Sequence, residues 1–513
     1  MDKNFYITTP IYYPSAKPHM GHAYSSIIAD FFARFKRIDG FNVSFLTGTD
    51  EHGLKIQRAA ENKGLEPLAF CDEISKTFRN LSKTLNLTNT DFIRTTEERH
   101  IKSVQNLWNE LEKNDDIYLS KYSGWYSVSD EAFYTEEEIE EVDGKKISIS
   151  SKSPVEWMDE ESYFFRLSKW EKKLLDYYEK NPDFISPKSR RNEVISFVKG
   201  GLKDLSVSRK SFSWGIPVPN NKEHVIYVWL DALTNYISAL NYPDIKNQKY
   251  KTFWPATVHL IGKDILRFHA VYWPAFLLAA KLPLPKKVYG HGWILSGEEK
   301  MSKSKGNILD PIEIIDQYGL DPLRYYLIKE VSFGNDGNIS QEKLEDCINS
   351  DLANNFGNLC QRVTAFAIKN CEGTIPKIIE FNQDDLKILD KFKTNLDLIR
   401  DKIDKQDINF YIDFIVNSLF DANKYFNDEE PWKKKDDFSR LNTIVYTSLE
   451  IIRKICYMLY PIIPESSLKA LKIFSIEEKK IELSSIENHN YLKGGDKIKK
   501  IDILFKKIEK NHD

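Results

Sequence analysis

Apolar and polar positions along the first fifty residues follow two different periods. Phe5-Tyr6-Ile7-Thr8-Thr9 is a run of aromatic and β-branched residues, which predicts a short strand ending at Pro10. After a loop, Tyr24, Ile27, Ile28, Phe31, Phe32 and Phe35 recur at i, i+3, i+4 and i+7, which predicts an amphipathic helix closed by Gly40. Asn42-Val43-Ser44-Phe45-Leu46 returns to strand texture. Strand, helix, strand in that order predicts a parallel βαβ unit. From about Ile117 to Asn221 the pattern breaks into short alternating segments with an acidic run (Glu136 to Glu141) and a turn at Asp143-Gly144, the texture of an inserted, partly β domain. Val225 to Leu230 and Val258 to Gly262 resume the α/β pattern. Beyond about Asp351 the chain reads as amphipathic helices with Lys, Asp and Asn on their outer faces.

Composition narrows this picture. The 513 residues are 41% hydrophobic, enough for three or four packed domains at ~100–200 residues each. No apolar run reaches the ~18 residues of a transmembrane helix. The N-terminus enters a strand without an apolar signal region, so no secretory leader is expected. Five scattered cysteines (Cys71, Cys347, Cys360, Cys371, Cys456) form no C-x-x-C pair, which predicts neither a disulfide framework nor a thiolate zinc site and fits a reducing, cytoplasmic setting. A net charge of −3 supplies no field for nucleic acid, so any RNA binding has to rest on a local patch.

Two motifs carry phosphate chemistry. Pro18-His19-Met20-Gly21-His22 lies between the first strand and first helix. Ligands of open parallel sheets bind beyond the strands' carboxyl ends, where helix N-termini point. Gly21 would let a nucleotide approach closely, and the two imidazoles can donate to phosphoryl oxygens as charge builds. A His-rich loop or a metal site is the plainer alternative. The second motif, Gly297 to Asn307, holds Lys300, Lys303 and Lys305 among serines and ends in glycine. Such a loop suits polyphosphate, although a charge run is often only a solvated loop.

Taken together, HxGH at the first βα turn and KMSKS far downstream resemble the signature pair of class I aminoacyl-tRNA synthetases. The resemblance implies ATP binding and transition-state stabilisation by His19, Gly21, His22, Lys300 and Lys303. It also implies a Rossmann-type parallel sheet with an inserted α+β connective domain and a C-terminal all-α anticodon-binding bundle. Further segments resemble the methionyl-tRNA synthetases: Thr9 to Pro14, Thr47-Gly48-Thr49-Asp50-Glu51-His52-Gly53, Tyr227 to Ala232, and Gly262 to His269. By that resemblance Asp50 takes the substrate α-ammonium, a charge-assisted contact. Ile11, Tyr13, Trp229, Ala232, Tyr236, Ile265, Phe268, His269 and Trp273 line a methionine pocket, and Gly262 and Asp264 face the ATP ribose. A flexible thioether favours aromatic neighbours, but ordinary core packing competes for each ring. Ala232-Leu233 stands where some relatives read Ala-Pro.

The resemblance divides the chain into a first catalytic half (1–116), the connective insert (117–221), a second catalytic half (222–293), the KMSKS loop with a stem-contact region (294–350) and the anticodon-binding helices (351–513). Many relatives carry a zinc knuckle in the insert. Here Ser127 and Asp130 stand where the first cysteine pair would be and the second pair is missing, so no structural zinc is expected. In the helical part, Asn358 and Arg362 share one helix face, and Trp432 stands beside Lys433, Lys434 and Lys435. All three positions resemble the family's anticodon readers, and single-stranded loops are read by stacking and base-edge contacts. This part holds 27 basic and 27 acidic residues, so a patch has to do the binding. The expected partners are L-methionine, ATP with Mg2+, and tRNA(Met). No room remains for an appended dimerisation module, which predicts a monomer. Competing readings are another class I synthetase, for which the insert is short if editing is needed, a small-molecule nucleotidyltransferase, and a catalytically silent tRNA-binding relative.

Overall fold

The structure, a computed structural model, describes residues 3–15, 17–127, 132–296, 299–300, 310–378 and 380–509. It resolves into two compact units, one of Asn4–Pro18 with Ser44–His291, the other of Met1–Lys3, His19–Val43 and Gly292–Asp513.

The first unit is built on a six-stranded sheet. Strands β1 (Asn4–Tyr12), β2 (Asn42–Thr49) and β3 (Asp91–Arg94) lie in the order β3-β2-β1 and are followed by Val258–Gly262, Val288–His291 and Ile185–Ser186. β1 pairs in parallel with Val258–Gly262 through Ile7↔Val258 and Thr8↔His259. The contacts Thr9 to Thr47 and Asp50 N–H to the Tyr12 carbonyl run β1 and β2 in the same direction. Phe5 to Thr9 of β1 are buried in succession, as in a parallel strand covered on both faces, and the two threonines among them are hydrogen-bonded. The strand continues past Pro10 to Tyr12, two residues beyond its predicted end. Its register with Val258–Gly262 is made at Ile7 and Thr8, so the N–H missing at Pro10 is not needed there.

Within the same unit, Ile117–Ser127 and Glu156–Phe165 form a long antiparallel ladder flanked by Ala132–Tyr134 and Leu205–Ser206. This is the partly β segment read from the texture after Ile117. Its hairpin Ile139–Val142/Lys145–Ser148 turns at Asp143 and Gly144, both with positive φ, as a two-residue primed turn requires.

The second unit contains helix α1 (Met20–Ile38) and a bundle that includes Asn358–Asn370, Gln383–Asp404, Ile408–Asp428 and Phe438–Leu459. A buried ion network holds α1 within it. Asp30 accepts from Arg34 Nε at 2.7 Å and from Arg324 Nη2 at 2.7 Å. Arg324 also donates to the Ile462 and Pro461 carbonyls, and Arg34 to the Tyr460 hydroxyl. Every charge in the network has a partner, the condition under which buried ions are tolerated.

Asp30→Ala would leave two buried guanidinium groups facing each other and should cost about 3–5 kcal/mol. Urea unfolding with the exposed Asp401→Ala (partner Lys405) as control checks this; the control should move stability by less than about 0.5 kcal/mol.

Candidate active site

Helix α1 starts at His19, whose backbone is extended (φ −133°). The first N–H groups of a helix lack internal partners, and here imidazoles supply them. His19 Nδ1 accepts from Gly21 N–H at 3.1 Å, and His22 Nδ1 accepts from His19 N–H at 3.0 Å. A ring nitrogen that accepts a backbone N–H carries no proton, so each neutral ring holds its proton on Nε2. The ring centres lie 3.8 Å apart. Burial and the neighbouring His19 push His22 well below its ordinary pKa, keeping it neutral. A Cβ at Gly21 would fall 2.9 Å from His19 Cε1, so any larger residue there would push the capping imidazole aside.

At the carboxyl end of β2, Asp50 is buried and its N–H is fixed to the Tyr12 carbonyl at 2.9 Å. The next two residues are clamped by their side chains. Glu51 accepts from Thr49 and Arg94, each at 2.7 Å, and from Thr96 at 2.6 Å. His52 Nδ1 meets Asp231 Oδ2 at 2.6 Å, and His100 Nε2 meets Asp231 Oδ1 at 2.7 Å. Burial opposes ionisation of Asp231, but the facing His52 and His100 rings outweigh it and hold the carboxyl below its ordinary value. The Tyr13 hydroxyl donates to the His52 carbonyl at 2.9 Å, joining the end of β1 to the same loop.

The aromatic residues form two groups. Trp229 and Phe268 stack, 12° from parallel, and with Ile11 and Ile265 they are half-buried against the core that contains Tyr236 and Trp273. In the second group His269 Nδ1 donates to the Ile265 carbonyl at 3.0 Å, so Nε2 accepts the Tyr236 hydroxyl at 2.7 Å. Burial lowers His269 to a pKa of about 4. Trp273 is fully buried and its indole N–H donates to His259 Nε2 at 3.3 Å, while His259 Nδ1 bonds Thr8 Oγ1 at 2.8 Å. Burial raises the Tyr236 phenol above its ordinary value, against hydrogen bonds from Asn235 and Thr8 that lower it. Ala232 is buried on helix Val228–Ser238 with Tyr236, its carbonyl taken by Asn235. His259 was missed by sequence reading: a lone His within an apolar strand carries no pattern.

Gly262 ends its strand with the exposed Asp264 turned back over it, so that a Cβ would meet Oδ1 at 2.6 Å. Lys300 lies on a two-residue strand, Glu299–Lys300, paired antiparallel with Ile294–Ser296. Lys303 and Asp130 lie outside the described residues. Ser127 is buried at the end of its strand.

In the helical unit Arg362 and Trp432 line one cleft of about 440 Å³ with Phe366, Lys369, Phe426 and Lys435. Arg362 donates to Asn427 Oδ1 at 2.6 Å and lies over the Phe426 ring, which meets Trp432 edge to face. Trp432 is 40% exposed. Asn358 is half-buried one helical turn before Arg362 and does not line this cleft. Phe426 was missed because helix packing alone brings it to Arg362, and Lys369 because a lysine two turns further along the same helix reads as an ordinary solvated charge.

A parallel sheet with its polar and aromatic groups at strand ends, a histidine-capped helix and a separate helical unit with a basic-aromatic cleft define a class I aminoacyl-tRNA synthetase. The model of the tRNA synthetases class I (M) matches residues 5–364, and that of the anticodon binding domain of methionyl tRNA ligase matches residues 375–513. The chain belongs to the methionyl-tRNA synthetase family. It is 50% identical to a methionine–tRNA ligase of Brucella suis, over 94% of each chain, and 50% identical to one of Rickettsia felis, over 99% of each. The Mycobacterium tuberculosis methionyl-tRNA synthetase in complex with methionyl-adenylate superposes with a TM-score of 0.96 at 44% identity, covering 98% of this chain and 99% of that one.

The depressed His269 sets a pH expectation. Between about pH 6.5 and 4 the unfolded chain binds a proton at this histidine that the folded chain does not. Stability therefore falls as pH drops through that window, by up to about 1.4 kcal/mol per pH unit for this one group. His269→Gln should flatten that part of the acid slope, measured by denaturant unfolding at stepped pH.

Proposed function

We propose that each residue above serves a defined step of methionine–tRNA ligation, the activity that identity along both the catalytic and anticodon-binding parts carries. The protein is an aminoacyl-tRNA ligase. It joins L-methionine to ATP as methionyl-adenylate with release of pyrophosphate, then transfers methionine to the 3′-terminal adenosine of tRNA(Met). In the first step a methionine carboxylate oxygen attacks the α-phosphorus and pyrophosphate leaves. In the second a ribose hydroxyl attacks the acyl carbon and AMP leaves. No enzyme nucleophile is needed, so the work is positioning and charge stabilisation.

His19 and His22 donate through Nε2–H to phosphoryl oxygens as negative charge develops, and Gly21 lets the nucleotide approach. The mutual Nδ1 capping supports this reading, because it fixes donors where donors are needed. Lys300 and Lys303 neutralise the departing pyrophosphate, and ATP arrives as its magnesium complex. Gly262 and Asp264 meet the ribose. Asp50 pairs with the methionine ammonium, while Ile11, Tyr13, Trp229, Ala232, Tyr236, Ile265 and Phe268 surround the side chain, with His269 and Trp273 behind them. Arg362 and Trp432, with Asn358, read the anticodon: a half-exposed indole beside a guanidinium is a surface on which an unstacked base can lie. We further infer a monomer acting in the cytoplasm. No described helix is long and apolar enough to cross a membrane.

His22→Ala should slow methionine-dependent exchange between pyrophosphate and ATP by roughly 10²-fold or more. An unchanged rate would remove His22 from the catalytic set. Trp432→Ala should leave exchange intact and weaken tRNA charging by about 1–3 kcal/mol; equal loss of both activities would mean misfolding instead.

A further inference from the structure

Asp231 lies near the amino-acid site with both carboxylate oxygens held by short contacts, yet it lies outside the set assigned to substrate. It is fully buried on helix Val228–Ser238, between Trp229 and Ala232 in sequence. Both carboxylate oxygens are engaged, one by His52 at 2.6 Å and the other by His100 at 2.7 Å. His100 is also fully buried, with Nδ1 at 3.1 Å from Ser238 Oγ on the same helix as Asp231. His52 is two residues beyond Asp50, and Trp214 clamps the loop from outside. The Trp214 indole N–H donates to the Glu51 carbonyl at 2.6 Å, its own carbonyl accepts from Gly53 N–H at 3.0 Å, and its ring meets His52 edge to face.

A solvated loop would not bury an aspartate between two histidines. Burying a charge is costly unless it is paired and hydrogen-bonded, and here the pairing joins three separate segments: the β2 loop, helix Glu98–Lys113 and helix Val228–Ser238. The first carries Asp50 and the third carries Trp229, Ala232 and Tyr236. The distance between the ammonium-binding carboxylate and the wall of the side-chain pocket is therefore set through His52 and Asp231. We infer that Asp231, bridged by His52 and His100, is a positioning group that holds Asp50 at the spacing an α-amino acid requires, and so selects substrates that carry the ammonium. This rests on the assignment of Asp50 to that ammonium.

The test is calorimetric binding to the full chain of three ligands: methionine, methioninol (ammonium kept, carboxylate absent) and desamino-methionine (ammonium absent). His52→Ala and Asp231→Asn should each weaken methionine and methioninol by about tenfold, the loss of one well-placed charged contact, and leave desamino-methionine within about twofold. His52→Asn, whose amide N–H replaces Nδ1–H, and His100→Gln, whose amide replaces Nε2–H, should each bind methionine within about twofold of the unaltered chain. Equal weakening of all three ligands would mean general collapse of the pocket and overturn the inference, as would unchanged binding of all three. A melting temperature for each variant separates misfolding from misplacement. Asp50→Asn tests the underlying assignment alone. If methioninol binding survives Asp50→Asn, the ammonium assignment is wrong. If Asp50→Asn abolishes it and His52→Ala does not weaken it, the positioning inference alone fails.

Discussion

Thr8 and His259 are 251 residues apart in sequence and 2.8 Å apart in space. The parallel register they share brings the ends of β1 and of Val258–Gly262 to one edge of the sheet. A one-residue slip would turn each side chain to the opposite face, removing His259 from Thr8 and with it the acceptor for Trp273. Loop-closure entropy rises only logarithmically with length, so a long insertion between two paired strands is affordable where the register is specified this tightly. The aromatic group around Tyr236 depends on that pairing more than on any neighbour in sequence.

Buried charge follows one rule in both units. Asp30, Glu51 and Asp231 are each sealed from water, and each is surrounded by two or three donors at 2.6 to 2.7 Å. A hydrophobic substitute of equal volume could match such groups in stability. Apolar contacts leave rotation and sliding open, whereas a carboxylate held by two or three short hydrogen bonds fixes its partners in distance and direction. Asp30 fixes α1, the helix that carries His19 and His22. Glu51 and Asp231 fix the loop that carries Asp50.

How much of this could be read from sequence depended on how local each feature is. The helix from Met20 showed in its apolar period, and His19 stands at its start because a cap is a local requirement. The hairpin at Asp143-Gly144 showed in its turn residues. Arg362 and Trp432 were read from motifs and meet in one cleft, yet Phe426 between them was not read, since a buried helix phenylalanine is indistinguishable from core. The Thr8–His259 contact and the His52–Asp231–His100 bridge were hidden for the same reason: the partners are more than a hundred residues apart, and one sequence holds no record of pairing. Strand length was misjudged at Pro10 because a missing N–H matters only where a ladder bond is due, and the register decides that.

The histidines show how backbone context decides chemistry that residue type leaves open. At the start of α1 the unpaired groups are N–H donors, so His19 and His22 accept at Nδ1 and their protons sit on Nε2. Within the π-helical turn Phe268–Tyr272 the regular i to i−4 ladder is interrupted. There the Ile265 carbonyl takes the Nδ1–H of His269, and Nε2 becomes an acceptor for Tyr236. Burial keeps His22 and His269 neutral, so neither polarity is blurred by a second proton. The same side chain thus presents a donor nitrogen at the helix start and an acceptor nitrogen to a buried tyrosine in the π-helical turn.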